Sequence, residues 1–319
     1  MKRKKVLIFY PFNIGDIAVV LNCLKPFVNP TIQYALACQQ KTAAFALNTG
    51  IVEKTFIIDL PWTNRNGWIN KNYWKNPFHY NFILILSCWY QIVTYKPAII
   101  INMHFDNKTV YFLKIVTFFQ TKVVQHLGNY FENVYYKEAF LASILDNHNP
   151  IKLNYTIRKP NKIAVFGGAY NVNRRLPDKK MLELLLLLNN HKIDTILIVS
   201  TMQESIFFTE KITQEKWVSV QCIHGNLIEI IKQMLDVKIM ISTDTSWLHI
   251  AELYEIKTIG LYGFDNLETW KPPNTIPIKS NPIYTHKNMY EPAFKNVQPL
   301  INIDCVAIFE LCKKLLSQI

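Results

Sequence analysis

Three short constellations carry residue types and spacings suited to acid–base chemistry or to holding a phosphate. The first is Asn13-Ile14-Gly15-Asp16. Gly15 permits a tight turn and close backbone approach to a ligand. Asp16 falls where a helix N-cap would sit, and a carboxylate there can satisfy free amides. The same carboxylate, at the edge of a sheet, is a candidate general base. The residues alone leave both readings open. The second is Gly167-Gly168-Ala169, followed by Arg174, Arg175 and Pro177. The glycines let main-chain amides approach a phosphate, and either arginine can neutralise it with paired hydrogen bonds. A solvated arginine pair ahead of a helix fits equally well. The spacing is not GxGxxG, so a nicotinamide cofactor gains little support. The third is Thr243-Asp244-Thr245-Ser246-Trp247-Leu248-His249. Small polar residues at a helix start can cap it, and the same free amides form an anion site. His249 falls about one turn into that helix, either as a ligand contact or as a half-buried histidine.

Chemistry of other kinds is missing from the sequence. It has no GxxxxGK[ST] phosphate loop and no HExxH, and its cysteines fit no zinc spacing. No metal and no cofactor are expected.

These residues need a scaffold, and the hydrophobic pattern supplies one. Short apolar runs alternate with helical periods, the signature of βαβ units and a parallel sheet. Val6 to Tyr10, Thr31 to Ala37, Lys54 to Asp59 and Ala98 to Met103 read as strands, with helices over Ile17 to Phe27 and near Lys108 to Phe119. Polar residues between Pro150 and Pro160 mark a linker. A second series follows, with strands at Lys162 to Phe166, Thr195 to Ser200, Val218 to Cys222, Lys238 to Ser242 and Thr258 to Tyr262. Helices fall at Lys179 to Asn190, Gln203 to Thr213, Asn226 to Asp236 and Ser246 to Tyr254. The expected fold class is α/β, with two Rossmann-like domains facing a cleft. The first domain covers 1–155 and the second 156–300. A terminal helix in 301–319 is expected to pack back toward the first. In open α/β sheets ligands bind beyond the carboxyl ends of the strands, and all three constellations follow predicted strands. Pro61 to Tyr80 breaks the period with three tryptophans, Arg65, Lys71 and Lys75. It reads as a long loop or irregular helices, and loops of this length are often functional.

Composition narrows the partners. Half of the 319 residues are hydrophobic and the formal net charge is +12. Such a chain builds a sizeable core and attracts anionic partners. Six cysteines without a CxxC pair read as reduced, buried thiols of a cytoplasmic protein. The apolar stretch after Lys2 to Lys5 is too short for a signal peptide. Phe82 to Val93 is too short to span a bilayer. A soluble protein is expected, with room for peripheral membrane contact. No helix-turn-helix, zinc-finger or RNP-type motif supports a nucleic-acid partner.

At these residues the sequence resembles the bacterial heptosyltransferases of lipopolysaccharide core assembly, glycosyltransferase family nine. Val6 to Val20 resembles the family's strand, Gly-Asp and helix. Ile99 to Lys108 is similar to a family stretch ending in His-Gly and a basic residue. Gly168-Ala169 with Arg174 and Pro177 looks like its Pro-Gly-Ala and Lys-x-Trp-Pro block. Met240 to Ala251 resembles its signature Asp-Thr-Gly-x-x-His-x-Ala. Four blocks in order cover nearly the whole chain.

The resemblance implies a GT-B architecture, with the acceptor on the first domain and the donor on the second. It implies inverting, metal-independent transfer of a sugar from a nucleotide sugar, with ADP-heptose as the best guess. The acceptor would be an anionic lipopolysaccharide core, and the enzyme would be cytoplasmic, at the inner face of the membrane. Asp16 would be the base and Arg174 would neutralise the departing diphosphate. Gly168, Glu204, Asp244, Thr245, Ser246 and His249 would line the donor. Gly15, Arg65, His104 and Lys108 would face the acceptor. Ser246 and Trp247 stand where the family has glycine and a smaller neighbour. Gly167 stands where proline is common, Leu176 where tryptophan is, and Asn102 where aspartate is frequent. These departures bear on the donor sugar more than on the fold. They leave a UDP-hexose or UDP-N-acetylhexosamine donor, or a non-catalytic glycan- or nucleotide-binding protein, as alternatives. A nucleotide-sugar epimerase would need a richer acid–base set.

Overall fold

The computed structural model describes residues 3–58, 80–103, 107–117, 121–125, 133–145, 162–169, 171–265, 267–285, 294 and 297–318. The chain divides into two units, Met1–Leu153 and Asn154–Ile319.

In the first unit the elements run β1 (Lys4–Phe9), α1 (Ile14–Leu24), β2 (Ile32–Cys38), α2 (Gln40–Asn48), β3 (Lys54–Ile57), α3 (Tyr80–Tyr95), β4 (Ile99–Asn102), α4 (Asn107–Val116), β5 (Lys122–Gln125) and α5 (Lys137–Ala142). The five strands form one parallel sheet in the order β3-β2-β1-β4-β5. Strand β1 is central because its side chains are buried from Val6 to Phe9. A strand covered on both faces reads as a continuous apolar run, not an alternating one. Leu7, Phe9, Ala35, Ala37, Phe56 and Ile100 form one face of the sheet, packed with Cys88, Ile92 and Tyr95 of α3 and Leu113 of α4.

The second unit runs β6 (Lys162–Phe166), α6 (Asp178–Asn190), β7 (Asp194–Ile198), α7 (Met202–Gln214), β8 (Val220–Ile223), α8 (Leu227–Met234), β9 (Ile239–Thr243), α9 (Ser246–Leu253), β10 (Lys257–Asp265), α10 (Leu267–Trp270), β11 (Thr275–Thr285) and α11 (Cys305–Ser317). Its six strands are parallel in the order β11-β10-β9-β6-β7-β8. In each sheet the chain reverses its direction of progress beside the first strand, at β1/β4 and at β6/β9. Such switch points leave a crevice at the carboxyl ends of the strands.

Two differences from the sequence reading have physical causes. Helix α1 begins at Ile14, not Ile17, because Asn13 is extended at φ −73° and ψ 171° and serves as the N-cap. Asp16 is therefore the third residue of the helix and not its cap. Strand β11 escaped the pattern because Pro277 and Pro282 interrupt it. It pairs only with β10, at a sheet edge where a missing N–H is tolerated. The terminal helix α11, for which packing toward the first domain is expected, packs on α6 within the second unit. There Cys305, Ile308, Phe309, Cys312 and Leu315 join the core, and Lys238 Nζ donates to the Leu316 carbonyl, 2.9 Å away. Asp304 caps it, accepting from the amides of Val306 and Ala307 at 2.9 and 3.0 Å.

Helices α2, α3 and α5 and strand β5 also lie outside the sequence reading. Among the described residues no helix is long and apolar enough to cross a membrane.

Candidate functional site

In the first unit the polar residues gather where β1 gives way to α1. Asn13 leaves the start of α1 without a side-chain cap, because its Oδ1 accepts from Lys41 Nζ, 2.7 Å away. Gly15 and Asp16 occupy the first turn, where an acidic side chain complements the exposed amides of a helix. Lys137 approaches from α5, which packs on α1. Its Nζ lies 6.0 Å from the centre of the Tyr10 ring, just past the end of β1. Burial pushes the Lys137 ammonium below its ordinary pKa, while Cys23 and Asp16 oppose that shift by favouring the charge. A lysine acting on Asp16 is thus built into the unit. No motif flanks it in the sequence, and its helix is only six residues long, so pattern reading had nothing to find.

Arg65 and His104 lie outside the described residues. Lys108 falls in the first turn of α4, and the described structure ends there at its backbone.

In the second unit the carboxyl ends of β6, β7 and β9 converge. Gly168 is confined between them: a Cβ there would meet Ser200 Oγ at 2.8 Å and Phe166 Cζ at 2.9 Å. Its carbonyl accepts from Thr243 Oγ1, 2.9 Å away. Glycine is needed for this approach, quite apart from any ligand. Gly167 is equally tight against Met181 and Leu176 of the same unit.

The two arginines have separate tasks. Arg175 Nε donates to the Ala169 carbonyl at 2.8 Å, and its Nη1 lies 3.4 Å from Glu204 Oε1. Glu204 completes a capping box on α7. Its Oε2 accepts from the Ser200 and Thr201 amides at 2.9 and 3.1 Å, while Thr201 Oγ1 accepts from the Glu204 amide at 3.2 Å. Arg175 and Glu204 therefore brace the loops after β6 and β7 against each other. Arg174 turns the other way. Its Nη1 lies 3.4 Å from the Asp244 carbonyl oxygen and 3.6 Å from Asp244 Oδ2.

Asp244 leads into α9, and the N-cap of that helix is unusual. Thr245 sits at the cap position with extended backbone, yet its side chain makes no cap bond. Its hydroxyl lies 3.2 Å from Ser242 Oγ instead. Of the two sequence readings, simple capping by these small residues is not what Thr245 does. Thr245 thus gives the helix start no side-chain cap of its own, and first-turn amides are groups that bind anions.

His249 is buried in α9. Burial pushes its pKa down to about 4, against the opposing pull of Asp244, so the imidazole is neutral at physiological pH. Tyr262, within β10 just past its last pairing with β9, is a further member that the sequence reading missed. Its ring is fully buried and its hydroxyl has no hydrogen-bond partner among the described residues. Burial, then the nearby Asp244 charge, raise its pKa. Trp247 stands against Phe166, with ring centres 5.8 Å apart.

The structure thus brings Gly168, Arg174, Asp244, Thr245, Ser246 and His249 to one sheet edge, with Glu204 behind them. Among the described residues no group of three or more His, Cys, Asp or Glu side chains is gathered to hold a metal ion.

A cationic guanidinium at the start of a helix, in the same unit as a neutral imidazole and a buried hydroxyl, suits a phosphate-bearing ligand. Comparison with known proteins gives this chemistry a family. The sequence model of Glycosyltransferase family 9 (heptosyltransferase) matches residues 125–300, more than half of the chain. No curated protein matches in sequence. Among solved structures, E. coli heptosyltransferase WaaC with ADP is similar at TM-score 0.74 and 12% identity, covering 98% of this chain and 99% of that one. A family 9 glycosyl transferase from Veillonella parvula gives 0.72 and 13%, covering 100% and 99%. E. coli ADP-heptose lipopolysaccharide heptosyltransferase II gives 0.67 and 11%, covering 98% and 99%. At these identities the likeness establishes a shared fold, the GT-B fold of two parallel-sheet units.

Proposed function

Because the chain belongs to glycosyltransferase family 9, the heptosyltransferase family, we propose that it moves a heptose from ADP-heptose onto an anionic acceptor of the lipopolysaccharide-core type. The transfer inverts the anomeric centre, needs no metal or cofactor, and takes place on the cytoplasmic side of the membrane. The ADP named with the E. coli relative supports the choice of nucleotide. The net charge of +12 suits an acceptor rich in carboxylate and phosphate.

The observation that carries the reading is the placing of Arg174 against Asp244 at the start of α9. In the reaction an acceptor hydroxyl oxygen bonds to the anomeric carbon and its proton passes to Asp16. The bond from that carbon to the diphosphate breaks, and ADP leaves with the electron pair. Negative charge grows on the diphosphate as it departs. Arg174 and the amides of Thr245 and Ser246 meet that charge, each well-placed donor contributing a few kcal/mol to the barrier reduction. His249, neutral, serves as a hydrogen-bonding group and not as a second cation.

Calorimetric titration with ADP, UDP, GDP and CDP tests the donor. Selective ADP binding is expected, and selective UDP binding would move the assignment to a hexose or hexosamine donor. Asp16→Asn tests the base. Turnover should fall roughly 10²–10⁴-fold with ADP affinity unchanged, and near-normal turnover would remove Asp16 from that role.

A further inference from the structure

Helices α3 and α4 cover one face of the first sheet. Cys88, Ile92 and Tyr95 turn α3 inward, and Leu113 does the same for α4. The opposite side of a surface helix is ordinarily polar. Here it is apolar. Ile83, Leu86 and Tyr90 follow one another at helical spacing on α3 and are 52%, 47% and 64% exposed. On α4, Tyr111 and Ile115 are one turn apart and 66% and 62% exposed. The two helices pack side by side, so these five side chains make one surface. Single exposed apolar residues are ordinary, but a contiguous set marks a place of contact.

The charge around this surface is one-sided. Among the described residues between Tyr80 and Gln125 there is no aspartate or glutamate, against four lysines, Lys96, Lys108, Lys114 and Lys122. Helix α3 has no charged residue at all. Lys96 follows the end of α3, Lys114 lies in the last turn of α4, and Lys122 opens β5. The βα connections bring all three to the amino-terminal end of the sheet, at one border of the apolar surface. Glu53, the acidic residue near Tyr95, is already paired with Arg3, so a protein partner of mixed charge would find little here to pair with its own cations. An anionic lipid surface needs none. It offers acyl chains to isoleucine and leucine, an interface where tyrosine is at ease, and phosphates to the lysines.

We infer that the outer face of α3 and α4 docks the protein on an anionic membrane surface, with Ile83, Leu86, Tyr90, Tyr111 and Ile115 entering the headgroup region and Lys96, Lys114 and Lys122 meeting lipid phosphates. The docking is peripheral, through side chains of surface helices, and is independent of which sugar is transferred.

The test is co-sedimentation with phosphatidylcholine vesicles, with and without phosphatidylglycerol, at low and high salt. The wild-type protein is expected to bind the anionic vesicles and to release in salt. Replacing the five apolar residues by glutamine should lower binding at least about tenfold. Replacing the three lysines by glutamine should abolish the preference for phosphatidylglycerol, since each contributes about fivefold. Two controls keep the result clear. Val218→Gln with Val306→Gln removes exposed apolar residues elsewhere and should leave binding intact. Unchanged thermal midpoints show that every variant is folded. Equal binding by the five-glutamine variant and the wild type would overturn the inference. So would failure of the wild type to bind anionic vesicles. A lipid-free dimer that the five-glutamine variant converts to monomer, without vesicle binding by either, would assign the face to a second copy of the chain.

Discussion

Arg174 and Asp244 are 70 residues apart in the chain, yet Arg174 Nη1 lies 3.4 Å from the Asp244 carbonyl oxygen and 3.6 Å from its carboxylate. The contact ties the turn after β6 to the junction of β9 and α9. It also holds a guanidinium at the start of α9 before any ligand arrives. Such preorganisation strengthens binding by removing the cost of assembling the site.

Arg174→Gln should therefore weaken ADP binding by about 1.5–3 kcal/mol, roughly tenfold to a hundredfold. Arg175→Gln acts differently, because Arg175 braces Ala169 and Glu204. It should lower the thermal midpoint more than Arg174→Gln does. Calorimetry and thermal unfolding on the same pair of variants separate the two tasks. Equal ADP affinity for Arg174→Gln and the wild type would exclude Arg174 from the donor site.

With Asp16 as the proposed base, Lys137 should set the acid limb of the reaction. A cation near a carboxylate favours its ionised form, so removing the ammonium lets Asp16 hold its proton to higher pH. In Lys137→Met, which keeps the apolar stem against Tyr10, the acid limb of kcat/KM should move to higher pH. Lys137→Arg should restore most of the wild-type position. A limb that stays put in the methionine variant would show that Lys137 serves packing alone.

His249 makes stability fall in acid. Its folded pKa, about 4, lies below the ordinary histidine value of 6.5. Between those values the unfolded chain binds the extra proton and the folded one does not. Stability should therefore be fully present above about pH 6.5 and decline as pH falls toward 4. The decline from this residue is a few kcal/mol. Urea unfolding across that range should show a shallower decline for His249→Gln than for the wild type. Parallel curves would mean that His249 is not the group responsible.

Tyr262 offers a cleaner separation of stability from binding. A buried hydroxyl without a partner costs about 1–3 kcal/mol. Tyr262→Phe should leave the ligand-free protein as stable as before or more so, by about 1 kcal/mol. If the hydroxyl meets the donor, ADP affinity or turnover should fall in the same variant. A variant that is less stable and binds normally would contradict both expectations.

The parts of the fold that could be read from sequence are those where hydrophobic period and burial agree. The strands around β1, β6 and β9 are apolar without interruption because both faces are covered. Strand β11 is broken by Pro277 and Pro282, and α3 is apolar on the outside as well as the inside, so neither shows its usual period. The grouping of Gly168, Arg174 and Asp244 to His249 was legible because they follow strands within a short stretch of chain. Lys137 and Tyr262 were not, since each reaches the site from an element that shares no motif with it. The placing of Asp16 was right to the turn but wrong in register, because Asn13 begins the helix one turn sooner than the apolar pattern does. Two arginines in a row cannot be told apart in a sequence. Only the folded chain shows Arg175 turned toward Glu204 and Arg174 toward Asp244.

The core of the second unit joins Ile163 of β6 to Leu315 of α11. During synthesis the part of that core lent by α11 is missing until α11 has emerged, and until then the side of α6 that packs on α11 has no cover. The first unit has a core drawn entirely from its own earlier residues and can fold while the second is still being made. Folding of the second unit should therefore finish only once α11 has emerged, with the α11-facing side of α6 open to chaperones and proteases until then.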